Sequence, residues 1–247
     1  MISVLLRLEG PLQSWGTRSR FGYRDTEREP SKSGVIGLLG AALGMTRDDD
    51  ALLGKLAKGV FAVRVDREGE ILTDYHSVGG GTFNGVPHLA NGAKDPILTH
   101  RDYLMGASFL CAMGFEDHGL AKTVHEALGA PHWPLFLGRK ACPPSLPVQV
   151  PDGTVGLVPE AALRAAPFTR PAKRAWTPNV EDAAARTRLI VECARTEEGA
   201  EPRQDQPVSF ALSRRKFVQR YQRTLWIEPG DRRLEQEEAP CISLAAF

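Results

Sequence analysis

The chain has 247 residues, and its 42% of hydrophobic residues can supply the core of one large domain or of two smaller ones. Its 31 Lys and Arg residues against 30 Asp and Glu residues give a formal net charge of only +1. This balance argues against a protein that coats nucleic acid through its overall charge. Any nucleic-acid binding must therefore come from local clusters of positive charge.

Cysteine spacing and hydropathy limit the remaining classes. The four cysteines, Cys111, Cys142, Cys193 and Cys241, form no Cys-x-x-Cys pair and no zinc-finger spacing. We therefore expect no metal and no cofactor, and we expect the cysteines to be small buried residues. The N-terminal residues lack the apolar segment of a signal peptide, and no stretch is apolar enough to span a membrane. These features predict a protein of the reducing cytoplasm that does not contact a membrane.

The first predicted elements are a strand and a helix separated by a long polar loop. Residues 2–8 are apolar with partial alternation and end before a Gly-Pro pair, which predicts a strand. Ser31 or Ser33 can cap a helix that extends to about residue 43 and ends at Gly44. The glycines and alanines of this helix permit close packing against a sheet.

The next elements approximate the order of a ferredoxin-like α+β domain. Residues 60–66 and 71–76 alternate in hydropathy and predict two strands joined as a hairpin. A glycine-rich stretch at 77–99 predicts an inserted loop, and residues 103–115 predict one long strand. An amphipathic helix at about 120–128 and a short strand near 135–137 follow. RNA-recognition domains share this order, although one predicted strand is surplus to it.

Frequent prolines after residue 143 predict a domain boundary near residue 145. The expected domains are a ferredoxin-like domain at 1–145 and a smaller β-rich domain at 146–247. In the second domain we predict strands at 189–194, 208–212 and 224–227, and a polar connection at 197–206. The run from Arg214 to Arg223 contains five cations and no acid, and its partner could be RNA, DNA or protein.

The loop before the predicted helix has the composition of a phosphate-binding segment. Trp15 offers a stacking face, and Arg18, Arg20, Arg24 and Lys32 can neutralise phosphates near the N-terminus of the helix. The alternative is an ordinary surface loop, in which Trp15 is half buried and the arginines pair with the acidic side chains at positions 27 and 29. Composition alone leaves both interpretations open.

Four ordered blocks within the first 145 residues add a resemblance to these observations. The first contains LRL, GPLQSWG and PSKSGVIGLLGAALG, and the others are DYH at 74–76, RDYL followed by ASF at 101–109, and LGRKACP at 137–143. In this order the blocks resemble the CasD family of CRISPR-associated proteins, which are RAMP-superfamily subunits of type I-E Cascade. The resemblance implies a ferredoxin-like (RRM-like) fold with an inserted thumb, here residues 77–99.

The resemblance also implies a function without catalysis. Members of the family hold the 5′ handle of CRISPR RNA (crRNA), contact the backbone and large subunits of Cascade, and meet target DNA only through the complex, in antiviral defence. In this reading Gln13 and Ser33 bond base edges or sugars, aromatic residues stack on bases, and cations meet phosphates. The candidate RNA-binding residues are Gln13, Trp15, Arg18, Arg20, Lys32, Ser33, Tyr75, His76, Arg101, Arg139 and Lys140.

The thumb is assigned by its position relative to the matched blocks. Its apolar residues could form a wedge that displaces a base, and His88 or Lys94 could reach a phosphate; the wedge candidates are Phe83, Val86, Pro87, His88 and Leu89. The alternative is a loop that is disordered in the isolated protein, because few apolar residues are present to order it.

Two other functions remain open at this point. A metal-independent ribonuclease needs a general base, an acid and a phosphate-binding cation, and Tyr75, His76 and Lys32 are suitable residue types. Related proteins of type I-C systems process repeat RNA with such residues, whereas type I-E systems leave that task to a different RAMP subunit. A third reading is a structural subunit that never contacts RNA.

Overall fold

The computed structural model describes residues 1–18, 22–78, 82–83, 86–87, 97–168 and 186–228. In chain order its elements are β1 (Ile2–Glu9), β2 (Leu12–Gln13), β3 (Tyr23–Arg24), α1 (Lys32–Leu43), α2 (Asp50–Ala57), β4 (Val60–Arg67), β5 (Glu70–Val78), β6 (Thr82–Phe83), β7 (Val86–Pro87), β8 (Ile97–Met105), β9 (Ser108–Phe115), α3 (His118–Gly129), β10 (Gln149–Val155), α4 (Pro159–Ala165), β11 (Thr187–Glu192), β12 (Glu201–Ser209) and β13 (Lys216–Ile227). No helix in this part of the chain is long and apolar enough to cross a membrane.

A seven-stranded antiparallel sheet forms the centre of this mixed α/β fold. Its strand order is β10-β1-β9-β4-β11-β13-β12. The last four strands in the sequence, β10 to β13, follow residue 145; β10 pairs with β1 and β11 pairs with β4, both of which precede it, and β13 and β12 continue the sheet from β11. Strands from both sides of the predicted boundary near 145 therefore belong to one hydrogen-bonded sheet.

The two faces of this sheet bury separate apolar clusters. Leu6 and Cys111 point to the face that packs against α1, α2 and α3, whereas their chain neighbours Leu5 and Leu110 point to the face that packs against α4. This alternation follows from the period of two along a strand. Each fully buried aliphatic side chain contributes about 1.5–3 kcal/mol. The first cluster is the larger one, and it positions α1 for the site described below.

The predicted helix after the polar loop is confirmed as α1. Ser31 is its N-cap, and its hydroxyl accepts a hydrogen bond from the Gly34 amide at 3.3 Å. Gly44 ends the helix in the left-handed conformation with φ of 72°, which glycine adopts without steric cost. Gly34 also allows a close approach, because a Cβ atom there would lie 2.9 Å from the Trp15 ring.

The predicted hairpin of residues 60–66 and 71–76 is wrong, although both strands exist. β4 pairs with β9 and β11 in the large sheet, whereas β5 pairs with β8 in a second, four-stranded sheet that also contains β2 and β3. The predicted long strand at 103–115 is likewise divided into β8 and β9. The division falls at Gly106, whose φ of 72° turns the chain from one sheet into the other.

Three predictions for the later chain have different outcomes. The helix predicted near 120–128 is confirmed as α3. The strand predicted near 135–137 is wrong; Leu137 there accepts a hydrogen bond from the Ser14 amide and donates one to the Cys142 carbonyl, within a loop. The polar connection predicted at 197–206 is wrong from residue 201 onward, because β12 begins there and pairs with β13. Pairing with β13 outweighs the polar composition of β12.

Three of the cysteines lie in the described residues, and all of them are free thiols. Cys111 and Cys142 are buried, and burial raises the pKa of both thiols. Cys193 is partly exposed, and Cys241 lies outside the described residues. The expectation of buried cysteines is therefore confirmed for two positions.

The thumb falls mostly outside the described residues. The backbone strands β6 and β7 pair antiparallel, with Phe83 opposite Val86 and Thr82 opposite Pro87. His88, Leu89 and Lys94 lie outside the described residues. At either end of the thumb, Ser77 and Val78 extend β5, and residues 97–99 extend β8.

Candidate nucleic-acid interface

A cleft of about 750 Å³ opens at the N-terminal end of α1. One wall comes from β3, β8 and the loop after α3, and the other comes from the hairpin of β12 and β13. Four guanidinium groups line it, those of Arg24, Arg101, Arg139 and Arg215. It is termed the arginine cleft below.

Strand register places two of these arginines side by side. β3 runs parallel to β8, and Arg24 is the register partner of Arg101. Arg101 donates from Nε to the Thr99 hydroxyl at 3.2 Å, and no ion pair joins Arg24 or Arg101 to a carboxylate within the described ranges. Like charges that face each other on neighbouring strands are unfavourable. Asp74 of β5 is the register partner of Arg101 on its other side but forms no ion pair with it. The two guanidinium groups can therefore bind an anion between or above them.

Arg139 is held in the arginine cleft by backbone carbonyl groups. It donates to the carbonyl oxygens of Asp102 at 2.8 Å, Arg24 at 2.9 Å and Asp25 at 3.1 Å. Its guanidinium also lies 4.8 Å from the centre of the Tyr103 ring. Carbonyl oxygens are neutral, so these bonds orient the guanidinium without cancelling its charge. Arg139 thus joins β3 to β8 and contributes positive charge to the cleft.

Gly138 makes this position of Arg139 possible. Its φ is 95°, and a Cβ atom at this position would overlap the Ser14 carbonyl oxygen. The close approach brings the loop after α3 onto the segment before α1, where the Ser14 amide donates to the Leu137 carbonyl at 2.9 Å. Only glycine satisfies both conditions without strain.

A second contact fixes β3 to β8 on the side of the sheet opposite Arg101. The Tyr23 hydroxyl donates to the Asp102 carboxylate, which also accepts a hydrogen bond from the Thr73 hydroxyl at 2.7 Å. The hydrogen bond to Asp102 raises the pKa of Tyr23. Residues at successive positions of a strand point to opposite faces, so this contact leaves the arginine face free.

The wall formed by β12 and β13 combines aromatic and cationic side chains. The rings of Phe210 and Phe217 have centres 6.2 Å apart and planes tilted by 53°. The Arg215 guanidinium lies 5.3 Å from the centre of the Phe217 ring. Gln204 donates to the Phe217 carbonyl at 3.1 Å and also lines the cleft.

The N-terminus of α1 forms the floor between the two walls. Ser31, Ser33 and Gly34 line the cleft there, and the first turn of the helix contains no acidic residue. The helix dipole favours anions at this end, although the amides of Lys32 and Gly34 already donate to Asp205 and to the Ser31 hydroxyl. The floor therefore contributes the helix dipole and the hydroxyl groups of Ser31 and Ser33.

Lys32 lies between Ser31 and Ser33 in the sequence, but its side chain points away from the cleft and into the protein interior. It is only 2% exposed, and its ammonium group donates to both Glu192 carboxylate oxygens at 3.0 Å. Its backbone amide donates to Asp205, which in turn accepts two bonds from Arg220 at 2.6 and 3.0 Å. Burial lowers the pKa of Lys32, and the carboxylate of Glu192 opposes that shift. These four residues, Lys32, Glu192, Asp205 and Arg220, are termed the interior ion cluster.

Two residues predicted to contact bases are used inside the fold. Trp15 is 1% exposed, its ring packs against Gly34, and its indole nitrogen donates to Gln13 at 3.0 Å. Gln13 is fully buried and donates to the carbonyl oxygens of Leu8 and Ala107 at 3.2 and 2.9 Å. The stacking face expected for Trp15 is therefore not at the surface, nor is Trp15 half buried as in the alternative.

The alternative of an ion-paired loop is partly correct. Arg18 is exposed, and its guanidinium lies 4.0 Å from Glu27. Glu27 and Glu29 pair more closely with Arg203, at 3.2 and 2.6 Å. Arg20 lies outside the described residues, and Lys140 is exposed beside Arg139.

The three candidate nuclease residues do not share one surface. Tyr75 and His76 are successive residues of β5, so their side chains point to opposite faces of the strand. The Tyr75 ring is 61% exposed and lies edge-on to His100, with ring centres 5.3 Å apart, whereas His76 lies 3.5 Å from the Thr99 hydroxyl. Lys32 belongs to the interior ion cluster. Among the described residues, no group of three or more metal-ligating side chains is arranged to bind an ion.

Sequence reasoning missed the aromatic wall of the cleft. Arg215 belongs to the basic run whose partner was left open, and Phe210, Phe217 and Gln204 were not candidates. The available signal was the motif RRKF at 214–217, in which cations precede an aromatic residue directly. Only pairing of β12 with β13 brings this motif to the N-terminus of α1, more than 170 residues earlier in the chain.

Comparison of the sequence with known proteins gives two concordant findings. The family described as CRISPR-associated protein (Cas_Cas5) matches residues 3–223. The CRISPR system Cascade subunit CasD of Escherichia coli (strain K12) is 37% identical over 158 residues, which are 59% of this chain and 68% of that protein. The match to the family covers every element from β1 to most of β13.

Two solved structures are similar over nearly the whole chain. The crystal structure of a Cas protein is 34% identical, with a TM-score of 0.69 over 94% of this chain and 98% of its own. A chain of a CRISPR RNA-guided surveillance complex is 35% identical, with a TM-score of 0.69 over 92% of this chain and 90% of its own. Each likeness thus covers more than nine tenths of this chain.

Proposed function

The chain belongs to the Cas5 family of CRISPR-associated proteins, and from this premise we propose that it is a noncatalytic RNA-binding subunit of a Cascade surveillance complex. In this role it binds the 5′ handle of crRNA in the arginine cleft and serves antiviral defence. The observation that carries the proposal is the convergence of Arg24, Arg101, Arg139 and Arg215 on one cleft at a helix N-terminus. None of the four is paired with a carboxylate in the described part of the chain.

The chemistry of the cleft suits a strand terminus better than a duplex. Phosphates would meet the guanidinium groups and the helix N-terminus, whereas unpaired bases would meet the aromatic wall. The volume of about 750 Å³ is within the range of pockets that enclose small ligands, about 300–1,000 Å³. A duplex is too wide to enter such a cleft, and an unstacked nucleotide at a strand end can do so.

The strand order supports a ferredoxin-like core for this subunit. Six elements taken in chain order, β1, α1, β4, β9, α3 and β10, give the sheet order β10-β1-β9-β4, with all pairs antiparallel. This order is consistent with the split βαβ arrangement, to which β2, β3, α2 and the ribbon of β5 and β8 would be additions. We propose that β11, β12 and β13 extend this core. Fold by itself does not establish RNA binding, and the proposal depends on the cleft.

The proposed protein partners are the backbone and large subunits of Cascade, with target DNA met only through the complex. The end of the ribbon of β5 and β8 beside the thumb supports a protein contact there, because it exposes apolar side chains on both strands; these are Val78, Ile97 and Leu98, each 45–52% exposed. An exposed apolar patch of this kind is typical of a protein-binding surface. The thumb wedge of Phe83, Val86, Pro87, His88 and Leu89 stays part of this proposal.

The position of Tyr75, His76 and Lys32 supports the noncatalytic role. A metal-free ribonuclease needs its base, its acid and its cation around one phosphate. Here the first two residues point to opposite faces of β5, and Lys32 is bound to Glu192. We therefore expect no discrete product when the purified chain is incubated with labelled repeat RNA in EDTA. A product that disappears in His76→Ala would establish the nuclease instead.

The RNA-binding proposal is tested with a paired substitution. Arg24→Gln with Arg101→Gln should weaken binding to a 3′-labelled crRNA that carries the 5′ handle of the same organism's repeat. Loss of two phosphate contacts on single-stranded RNA should reduce the slope of log K against log salt by about 1.4. Fluorescence anisotropy at four salt concentrations gives both quantities.

A matched control uses two exposed arginines that do not line the cleft. Arg47→Gln with Arg195→Gln removes the same charge from the α1–α2 connection and from the turn after β11. This variant should bind with nearly the wild-type affinity and slope. Equal losses in both double variants would show that binding depends on overall charge, and no loss in either would refute the cleft as the site.

A further inference from the structure

We propose that the aromatic wall of the arginine cleft binds one nucleobase of the RNA, with Phe217 and Arg215 as its stacking surface. This inference rests on the proposed function and assigns a separate task to the hairpin of β12 and β13. The wall of Arg24, Arg101 and Arg139 binds phosphates, and the opposite wall binds a base.

The two phenylalanines have different surroundings. Phe210 packs against the main apolar cluster of the protein, which anchors the pair. Phe217 is the register partner of Pro207 on β12 and is partly exposed in the cleft. A partly exposed ring at the edge of a positively charged cleft is the arrangement on which bases stack in single-strand-binding proteins.

Arg215 strengthens this surface in two ways. Its guanidinium lies 5.3 Å from the centre of the Phe217 ring, and it has no carboxylate partner among the residues that the structure describes. Two other cations of the same run are used otherwise, since Arg214 pairs with Asp50 at 3.0 Å and Arg220 pairs with Asp205. A planar guanidinium beside a ring can stack on a base and reach its phosphate at once.

Gln204 supplies hydrogen-bonding groups beside the ring. One N–H of its amide is bound to the Phe217 carbonyl at 3.1 Å, which fixes the side chain against β13. The amide has a second N–H and an acceptor oxygen for the edge of a base. Stacking supplies affinity for any base, and the amide supplies a preference among bases.

The test combines a change in the protein with a change in the RNA. Phe217→Leu keeps an apolar side chain and removes the ring, so it should weaken binding to the handle-bearing crRNA by about 5-fold or more while leaving the salt slope unchanged. Abasic residues are then placed one at a time through the handle. At one position the abasic RNA should bind wild type more weakly, and there Phe217→Leu should cause no further loss.

Three further variants make the result interpretable. Phe217→Tyr keeps the ring and should retain the wild-type affinity. Trp226→Leu removes an exposed ring, 48% accessible, from the far end of β13 and should have no effect. Arg215→Gln should lower both the affinity and the salt slope, the latter by about 0.7.

The outcomes separate this inference from the proposed function. If wild type does not bind the handle, the proposed function fails. If binding and its dependence on Arg24 and Arg101 persist, but Phe217→Leu has either no effect or the same effect on every abasic RNA, the base pocket is refuted and the proposed function stands. A loss in Phe217→Leu that Phe217→Tyr shares would also refute stacking.

Discussion

The arginine cleft and the interior ion cluster lie on two sides of the same helical turn, yet they use positive charge in opposite ways. In the cleft, Arg24 and Arg101 face each other, and neither forms an ion pair with a carboxylate of the described residues, Asp74 opposite Arg101 included. In the interior ion cluster, Lys32 and Arg220 are almost fully buried and bound to Glu192 and Asp205. Residue type does not distinguish the two groups, whereas burial and partners do.

The basic run from Arg214 to Arg223, most of which lies in β13, contains both kinds of cation within a few residues. Arg215 is exposed and rests beside Phe217, whereas Arg220 is 7% exposed and makes two bonds to Asp205. A buried charge without a partner is costly. Arg220 avoids this cost because the fold places the Asp205 carboxylate beside it. An exposed arginine without a partner costs little and remains available for an anion. The comparison teaches that the cations that remain available to a ligand are those for which the fold supplies no counterion.

The largest effect should follow from breaking the interior ion cluster. Arg220→Met leaves the buried carboxylate of Asp205 without its main partner and should lower the free energy of unfolding by about 3–5 kcal/mol. Arg215→Met, the same substitution five residues earlier, should change it by less than about 0.5 kcal/mol. Urea denaturation with a constant slope measures both values. Similar losses in the two variants would contradict the distinction between cleft and cluster.

An intermediate effect should follow from a substitution at Gly138, which lines the cleft. Gly138→Ala forces a residue with φ of 95° against the Ser14 carbonyl and should destabilise the protein by about 1–3 kcal/mol. RNA affinity should fall as well, because the loop that orients Arg139 must move. In Gly54→Ala the added methyl group meets open space in α2, so that variant should be more stable by up to about 1 kcal/mol. Thermal unfolding and anisotropy with crRNA compare them; unchanged RNA binding in Gly138→Ala would show that Arg139 is not needed.

The smallest effect concerns the helix N-terminus at which the cleft and the cluster meet. Ser31→Ala removes the cap of α1 and should cost about 1 kcal/mol. Because the amide of Gly34 then lacks its partner, an anion in the cleft should compensate part of this loss. The stabilisation by saturating crRNA should therefore be slightly larger for Ser31→Ala than for wild type in thermal unfolding. A smaller stabilisation would indicate that the helix end does not face the RNA.

Local patterns predicted the elements whose signals lie within a few residues. The cap at Ser31, the stop at Gly44 and the amphipathic pattern of α3 all specify a helix without reference to the rest of the chain. The strands β4 and β5 were also predicted, but their pairing was not. A turn between two strands is consistent with a hairpin, and only the competing partners β8 and β9 divide the strands between two sheets.

The residues of the candidate site also divide into those that the sequence placed correctly and those that it misplaced or missed. Arg101 and Arg139 were predicted from blocks that resemble a family, and both line the cleft. Trp15 and Lys32 came from the same blocks, yet both are buried, because Gly34 admits the ring and Glu192 and Asp205 surround the lysine. Arg215 and Phe217 were missed, since their position depends on pairing with β12.

The sequence by itself determined the Cas5 family of this protein, the helices α1 and α3 and several of its long strands, because those properties depend on short motifs and on hydropathy within one segment. The tertiary structure alone decided which cations are available to a ligand. Whether an arginine or lysine has a counterion depends on carboxylates and carbonyl groups that lie far away in the chain. Long-range packing therefore converts a nearly neutral chain into one with a positively charged cleft.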